Sequence, residues 1–72
     1  EHMQNHVKLE VSLEVINNEI ATNMKKLNIA HNYNEIQKLE KQLRNFLKLK
    51  EQAYMGDRNA IEKILNLRKE DN

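Results

Sequence analysis

The stretch "VKLEVSLEVI", residues 7–16, decides the fold. Val7, Leu9, Val11, Leu13 and Val15 alternate with Lys8, Glu10, Ser12 and Glu14, the period-two pattern of a half-buried strand. On a helix, at about 100° per residue, the stretch reads differently. Leu9, Leu13, Ile16, Ile20, Met24 and Leu27 then share one narrow arc, spaced by threes and fours like a coiled-coil seam. A strand explains residues 7–15 alone and leaves Ile16, Ile20, Met24 and Leu27 without a role. It also lacks a partner, because no second alternating run occurs in the chain. The β-branched valines lower helix propensity by only about a few tenths of a kcal/mol each. The pattern therefore predicts one continuous helix over about residues 6–29.

On that helix the alternation acquires a second meaning. Val7, Val11, Val15 and Ile29 fall on the side opposite the Leu/Ile seam. A helix apolar on two sides sits between neighbours. Leu9, Leu13, Ile16 and Ile20 are expected against a second helix. Val7, Val11, Val15 and Ile29 are the candidate partner-binding residues.

The remaining chain divides at two places. "AHNYNE", residues 30–35, lacks periodic apolar content and offers two N-caps, Asn32 with Glu35 or Asn34 with Gln37. A second helix is expected over about 34–55, with Tyr33 as a hydrophobic staple at its start. Its buried face is Ile36, Leu39, Leu43, Phe46, Leu47 and Tyr54, with Ala53 beside them and Lys50 snorkelling. "MGD", residues 55–57, punctuates the chain: Gly56 suits a left-handed C-cap and Asp57 the next N-cap. A third helix, about 58–69, carries Ala60, Ile61, Ile64, Leu65 and Leu67 on one wide face. Residues 69–72, "KEDN", are expected to fray. "EHM" at the start resembles a vector remnant followed by a native first Met3, so one helical domain is expected over 4–70.

The predicted fold class is all-α, an antiparallel hairpin of two long helices plus a short third helix at the C-terminal end. The third helix is about half as long as the others and covers only part of the hairpin. The competing reading is a compact monomer in which the third helix covers the valine patch completely. A chain of 72 residues buries a modest core, and with no cysteine it has no disulfide to supplement it. Exposing several apolar side chains forfeits free energy comparable with the whole stability of a small domain. A homodimer, higher oligomer or obligate heteropartner is therefore expected.

Composition narrows the function classes. Proline is absent and Gly56 is the only glycine, which favours long helices. Formal net charge is +1, from 12 basic and 11 acidic side chains. Residues 31–55 are mildly basic, with five basic and three acidic groups, and no polyanion-binding tail exists. No apolar run reaches membrane-spanning length and no signal-peptide core is visible, so a cytoplasmic protein with no membrane partner is expected. Eleven asparagines and nine lysines against three arginines suggest an AT-rich coding sequence, as in a low-GC bacterium or its phage.

No catalytic, cofactor-binding or metal site is predicted. His6 and Glu10 share a helical face but lack further ligands, and His31 falls in a connection. Glu10 and Glu14 are one turn apart, without the contrasting environments that acid–base pairs need. No Gly-rich phosphate loop or nucleophile elbow occurs, and Ser12, the only serine, falls within a helix. Lys38, Lys41, Arg44 and Lys48 make a basic stripe on the second helix, diluted by Glu35, Glu40 and Glu51, so nucleic-acid binding is the weaker reading.

"IQKLE", residues 36–40, resembles the Ser-Gln-Glu-Leu-Asp motif of small sporulation-regulator aspartyl-phosphate phosphatases at Gln37 and Leu39. Ile36 stands for the serine, Glu40 for the aspartate, and no glycine occurs in the inter-helix connection. The resemblance implies a response-regulator partner, with Gln37 or Glu40 essential. The residues themselves point first to a non-enzymatic helical interaction module: a small regulator, adaptor or chaperone acting through an exposed apolar helix face.

Overall fold

The computed structural model describes residues 5–69. Expectations about the vector remnant and Met3 lie outside the described residues, as does the fraying expected over 69–72 except at Lys69, which closes the last helix. The described residues form three helices: α1 (Asn5–Ile29), α2 (Tyr33–Tyr54) and α3 (Arg58–Lys69). The alternating stretch is helical throughout, and no strand occurs among the described residues. Each helix packs against both others.

The two punctuation points work as their chemistry dictates. Asn32, in extended conformation, caps α2: its side-chain oxygen accepts from the backbone N–H groups of Asn34 at 2.8 Å and Glu35 at 3.2 Å. Of the two possible caps, the structure uses this one. Tyr33 becomes the first helical residue instead of a staple. Its ring is exposed, and its hydroxyl accepts from Gln37 Nε2 at 2.7 Å. A staple must precede the cap, and Tyr33 follows it.

At the other end of α2, Gly56 has φ +87°. Gly56 N–H donates to Ala53 O at 2.9 Å and Asp57 N–H to Gln52 O at 3.0 Å, the paired bonds of a Schellman motif. Asp57 then turns to α3, its carboxylate accepting from Asn59 N–H at 2.9 Å and Ala60 N–H at 3.3 Å. Two residues thus end one helix and begin the next.

The core is a cluster of Val15, Ile16, Ile20, Phe46, Ala53, Ile61 and Ile64. Leu9, Val11, Leu13, Leu43, Leu49, Leu65 and Leu67 pack against it, partly buried. On α1 the buried positions include Ser12 and Asn23, neither of which hydropathy would select. The Ser12 hydroxyl donates to Leu9 O at 2.8 Å within its own helix, so this small polar side chain enters the interior satisfied.

α3 approaches α1 from one side. Lys8 Nζ lies 3.2 Å from Glu62 Oε2, and Arg68 near the end of α3 lines a small groove with Val15 and Glu19. Lys8 and Val15 lie on the same flank of α1. The ion pair is solvent-exposed and contributes at most about 1 kcal/mol. Apolar contact, chiefly through Ile61 and Ile64, holds α3 in place.

The molecule is long and thin, 44 × 26 × 15 Å, with a radius of gyration of 13.3 Å. A compact chain of this length would have about 11 Å.

A Cβ added at Gly56 meets nothing within 4 Å, so substitution there tests backbone conformation alone. Gly56→Ala should destabilise by about 1 kcal/mol through the positive φ, read as a lower denaturant midpoint with unchanged slope. An unchanged midpoint would show that the turn does not hold this conformation in solution.

Candidate protein-interaction surface

The patch expected on Val7, Val11, Val15 and Ile29 is not exposed as a unit. Val15 is 7% exposed and belongs to the core. Val11 is half-buried against that core, and Val7 is half-buried. Ile29 is 71% exposed but lies at the far end of α1, roughly 20 Å from Val15 at the helical rise. The expectation that Val15 stands open is corrected. α3 arrives on this flank and covers it.

Several other large apolar side chains are exposed, Tyr33 and Met55 at the ends of α2 among them. Met24, expected in the buried seam, is 52% exposed. Leu47 and Tyr54, expected on the buried face of α2, are 46% and 64% exposed. The cause is rotational. α1 must face α2 and α3 together, so its buried arc shifts toward Ser12, Val15 and Asn23 and away from Leu13 and Met24. Leu13 is left half-buried on the flank that Met24 shares. On α2, Leu43, Leu47 and Tyr54 make a stripe at helical spacing, with half-buried Lys50 inside it. Sequence reading named these residues but assigned them to the interior. The missing signal was the side from which α3 packs.

The α1–α2 contact also holds a polar pair. Asn23, 2% exposed, donates from Nδ2 to Gln42 Oε1 at 3.0 Å. Its own side-chain oxygen is buried without a partner. A polar residue in an apolar seam costs stability and fixes the register of the packed helices.

The other candidates remain separate. His6 is exposed beside α3, where a cleft of about 420 Å³ runs between His6 and Lys8 of α1 and Arg58 and Asn59 of α3. The amides opening α3 there already face the Asp57 carboxylate. His31 is exposed in the connection. Among the described residues, no group of three or more His, Cys, Asp or Glu side chains is placed to hold a metal ion. Lys38, Lys41, Arg44 and Lys48 are all exposed, as are Glu35, Glu40 and Glu51 on the same helix. Gln37 and Glu40 are exposed, with the Gln37 amide engaged by Tyr33. No helix among the described residues is long and apolar enough to cross a membrane.

No protein-family model, curated protein or solved structure matches the chain. The reading of this surface rests on its own chemistry.

Asn23 supplies a sharp test of the packing. Asn23→Leu removes a buried oxygen that has no partner, while Gln42, which is exposed, can turn to water. The variant should be more stable by about 1 kcal/mol, seen as a raised Tm. An unchanged Tm would mean that Asn23 is not buried as described.

Proposed function

We propose that the chain is a non-enzymatic helical interaction module, a small regulator, adaptor or chaperone of the cytoplasm. It works by burying an apolar face of its α1–α2 layer against a protein partner. In this reading α1 and α2 run antiparallel. Only residues 30–32 separate them, and short connections join antiparallel neighbours. The Asn23–Gln42 bond joins positions at similar distances from that connection. In an antiparallel pair, the Leu13/Met24 flank of α1 and the Leu43/Leu47/Tyr54 stripe of α2 share one face, and α3 lies on the other.

The observation that carries the proposal is that three large apolar side chains, Met24, Leu47 and Tyr54, are 52%, 46% and 64% exposed beside half-buried leucines. Scattered exposed apolar residues need no explanation, but a stripe along paired helices does. Covering each such side chain contributes of order 1 kcal/mol, and a partner helix adds the contacts of its own apolar face. The charged side chains beside the stripe, Glu40, Arg44 and Glu51, are exposed and of both signs. They set orientation more than affinity.

The test is site-specific photo-crosslinking in the source cells. A photoreactive residue in place of Leu47 or Met24 should give covalent protein adducts. The same residue in place of Lys63, exposed on α3, should give none. No adduct at Leu47 or Met24, or equal adducts at all three positions, contradicts the reading.

A further inference from the structure

We infer that the α2–α3 turn is a switch between two helical states of this chain. In the second state α2 and α3 run on as one helix, and α3 is exchanged with that of a second copy. Each exchanged α3 fills the groove on α1 and α2 that its counterpart has left. The Met24, Leu47 and Tyr54 stripe takes no part, so the inference stands apart from the proposed function.

The phase of the apolar residues points to this second state. Phe46, Lys50, Ala53, Asp57, Ala60 and Ile64 follow one another at alternating spacings of four and three. That is the seam of a single helix, and it crosses the turn without a slip. Phe46 and Ala53 before the turn, and Ala60 and Ile64 after it, are all buried. Two helices joined by a turn need no such agreement. One residue more or less between them would rotate one apolar face against the other by about 100°. As the sequence stands, a helix running straight from Tyr33 to Lys69, about 55 Å long at the helical rise, keeps its buried residues on one side.

The turn is held by local bonds. Gly56 N–H donates to Ala53 O and Asp57 N–H to Gln52 O, while the Asp57 carboxylate accepts from Asn59 and Ala60. A straight helix offers each of these amides a carbonyl four residues back. Packing adds little to the turn itself: Met55 is 81% exposed, and a Cβ at Gly56 meets nothing within 4 Å.

Exchange follows from what straightening leaves undone. α3 has twelve residues, at the lower limit for a helix standing alone in water. Once released it needs α2 to continue and a groove to enter. α1 begins beside the turn, where His6 and Gly56 line one cleft, so a straightened α3 runs past the end of its own α1. Its groove stands vacant and its Ile61 and Ile64 stand uncovered. A second copy in the same state meets both needs at once, through the contacts these residues already make with the core. Closed monomer and exchanged dimer thus bury the same side chains and differ at residues 55–57. A short hinge of this kind is where helices exchange between copies.

Spin labels at Arg44→Cys and Asn66→Cys read the switch, in a chain with no other cysteine. Both positions are exposed. Labelled chains are diluted into unlabelled copies of the same sequence, so that double electron–electron resonance reports distances within one chain. In the closed form the labels flank the turn on neighbouring helices and lie under about 25 Å apart. In the straight helix they lie about 33 Å apart. Wild-type chain refolded at high concentration should give a dimer fraction near 17 kDa, twice 8.6 kDa, that carries the long distance. Its monomer fraction should carry the short one. Gly56→Ala with Asp57→Leu removes both helix stops, and should tighten the dimer at least about a hundredfold with helicity retained by circular dichroism. A wild-type chain with no long-distance fraction at any concentration overturns the proposal, whether or not the double variant folds. So does a dimer that carries the short distance, since its α3 is still folded back.

Discussion

Two-sided burial of α1 is the constraint on which everything else turns. Ile16 is wholly buried, and Ser12 and Val15 beside it are buried too. No single neighbouring helix covers so wide an arc. α2 takes the side marked by Asn23, and α3 the side marked by Lys8 and Val15. A chain this short has few apolar residues to spend, so it concentrates them at this junction. Thin cover elsewhere is the consequence. With α3 on one flank of α1, Met24, Leu47 and Tyr54 stay exposed among the described residues.

The capping residues make that commitment possible. Gly56 and Asp57 reverse the chain within a single turn, so α3 begins beside the first turns of α1. Only twelve residues long, α3 reaches no further than Val15 and Glu19. Its contact stabilises one half of α1. Beyond it, α1 has α2 alone, and there the interior includes the Asn23 amide and Met24 stays exposed. A polar contact at that point limits sliding of α1 along α2, which a purely apolar seam would tolerate.

Local chemistry made most of the architecture legible. The period of Leu9, Ile16, Ile20 and Leu27 outweighed the short alternation of valines because a helix explains more of the apolar residues with one structure. Asn32, Gly56 and Asp57 were readable because each side chain, or its absence, serves a backbone need within three residues. What periodicity could not give was the direction from which α3 docks. A stripe on a helix is only a set of angles. Ser12 and Asn23 were missed for a related reason: a polar residue enters a core when geometry and one hydrogen bond allow it, and hydropathy carries no sign of either.

Native-state hydrogen exchange of the backbone amides tests the central claim most directly. If α1 is one continuous helix gripped from two sides, amides of residues 12–20 should be the slowest in the chain and exchange only with global unfolding. Those toward Ile29 should exchange faster, through local opening. Slowest exchange in α2 or α3 with rapid exchange at Ser12, Val15 and Ile16 would contradict the account, and with it the asymmetry that leaves one face open.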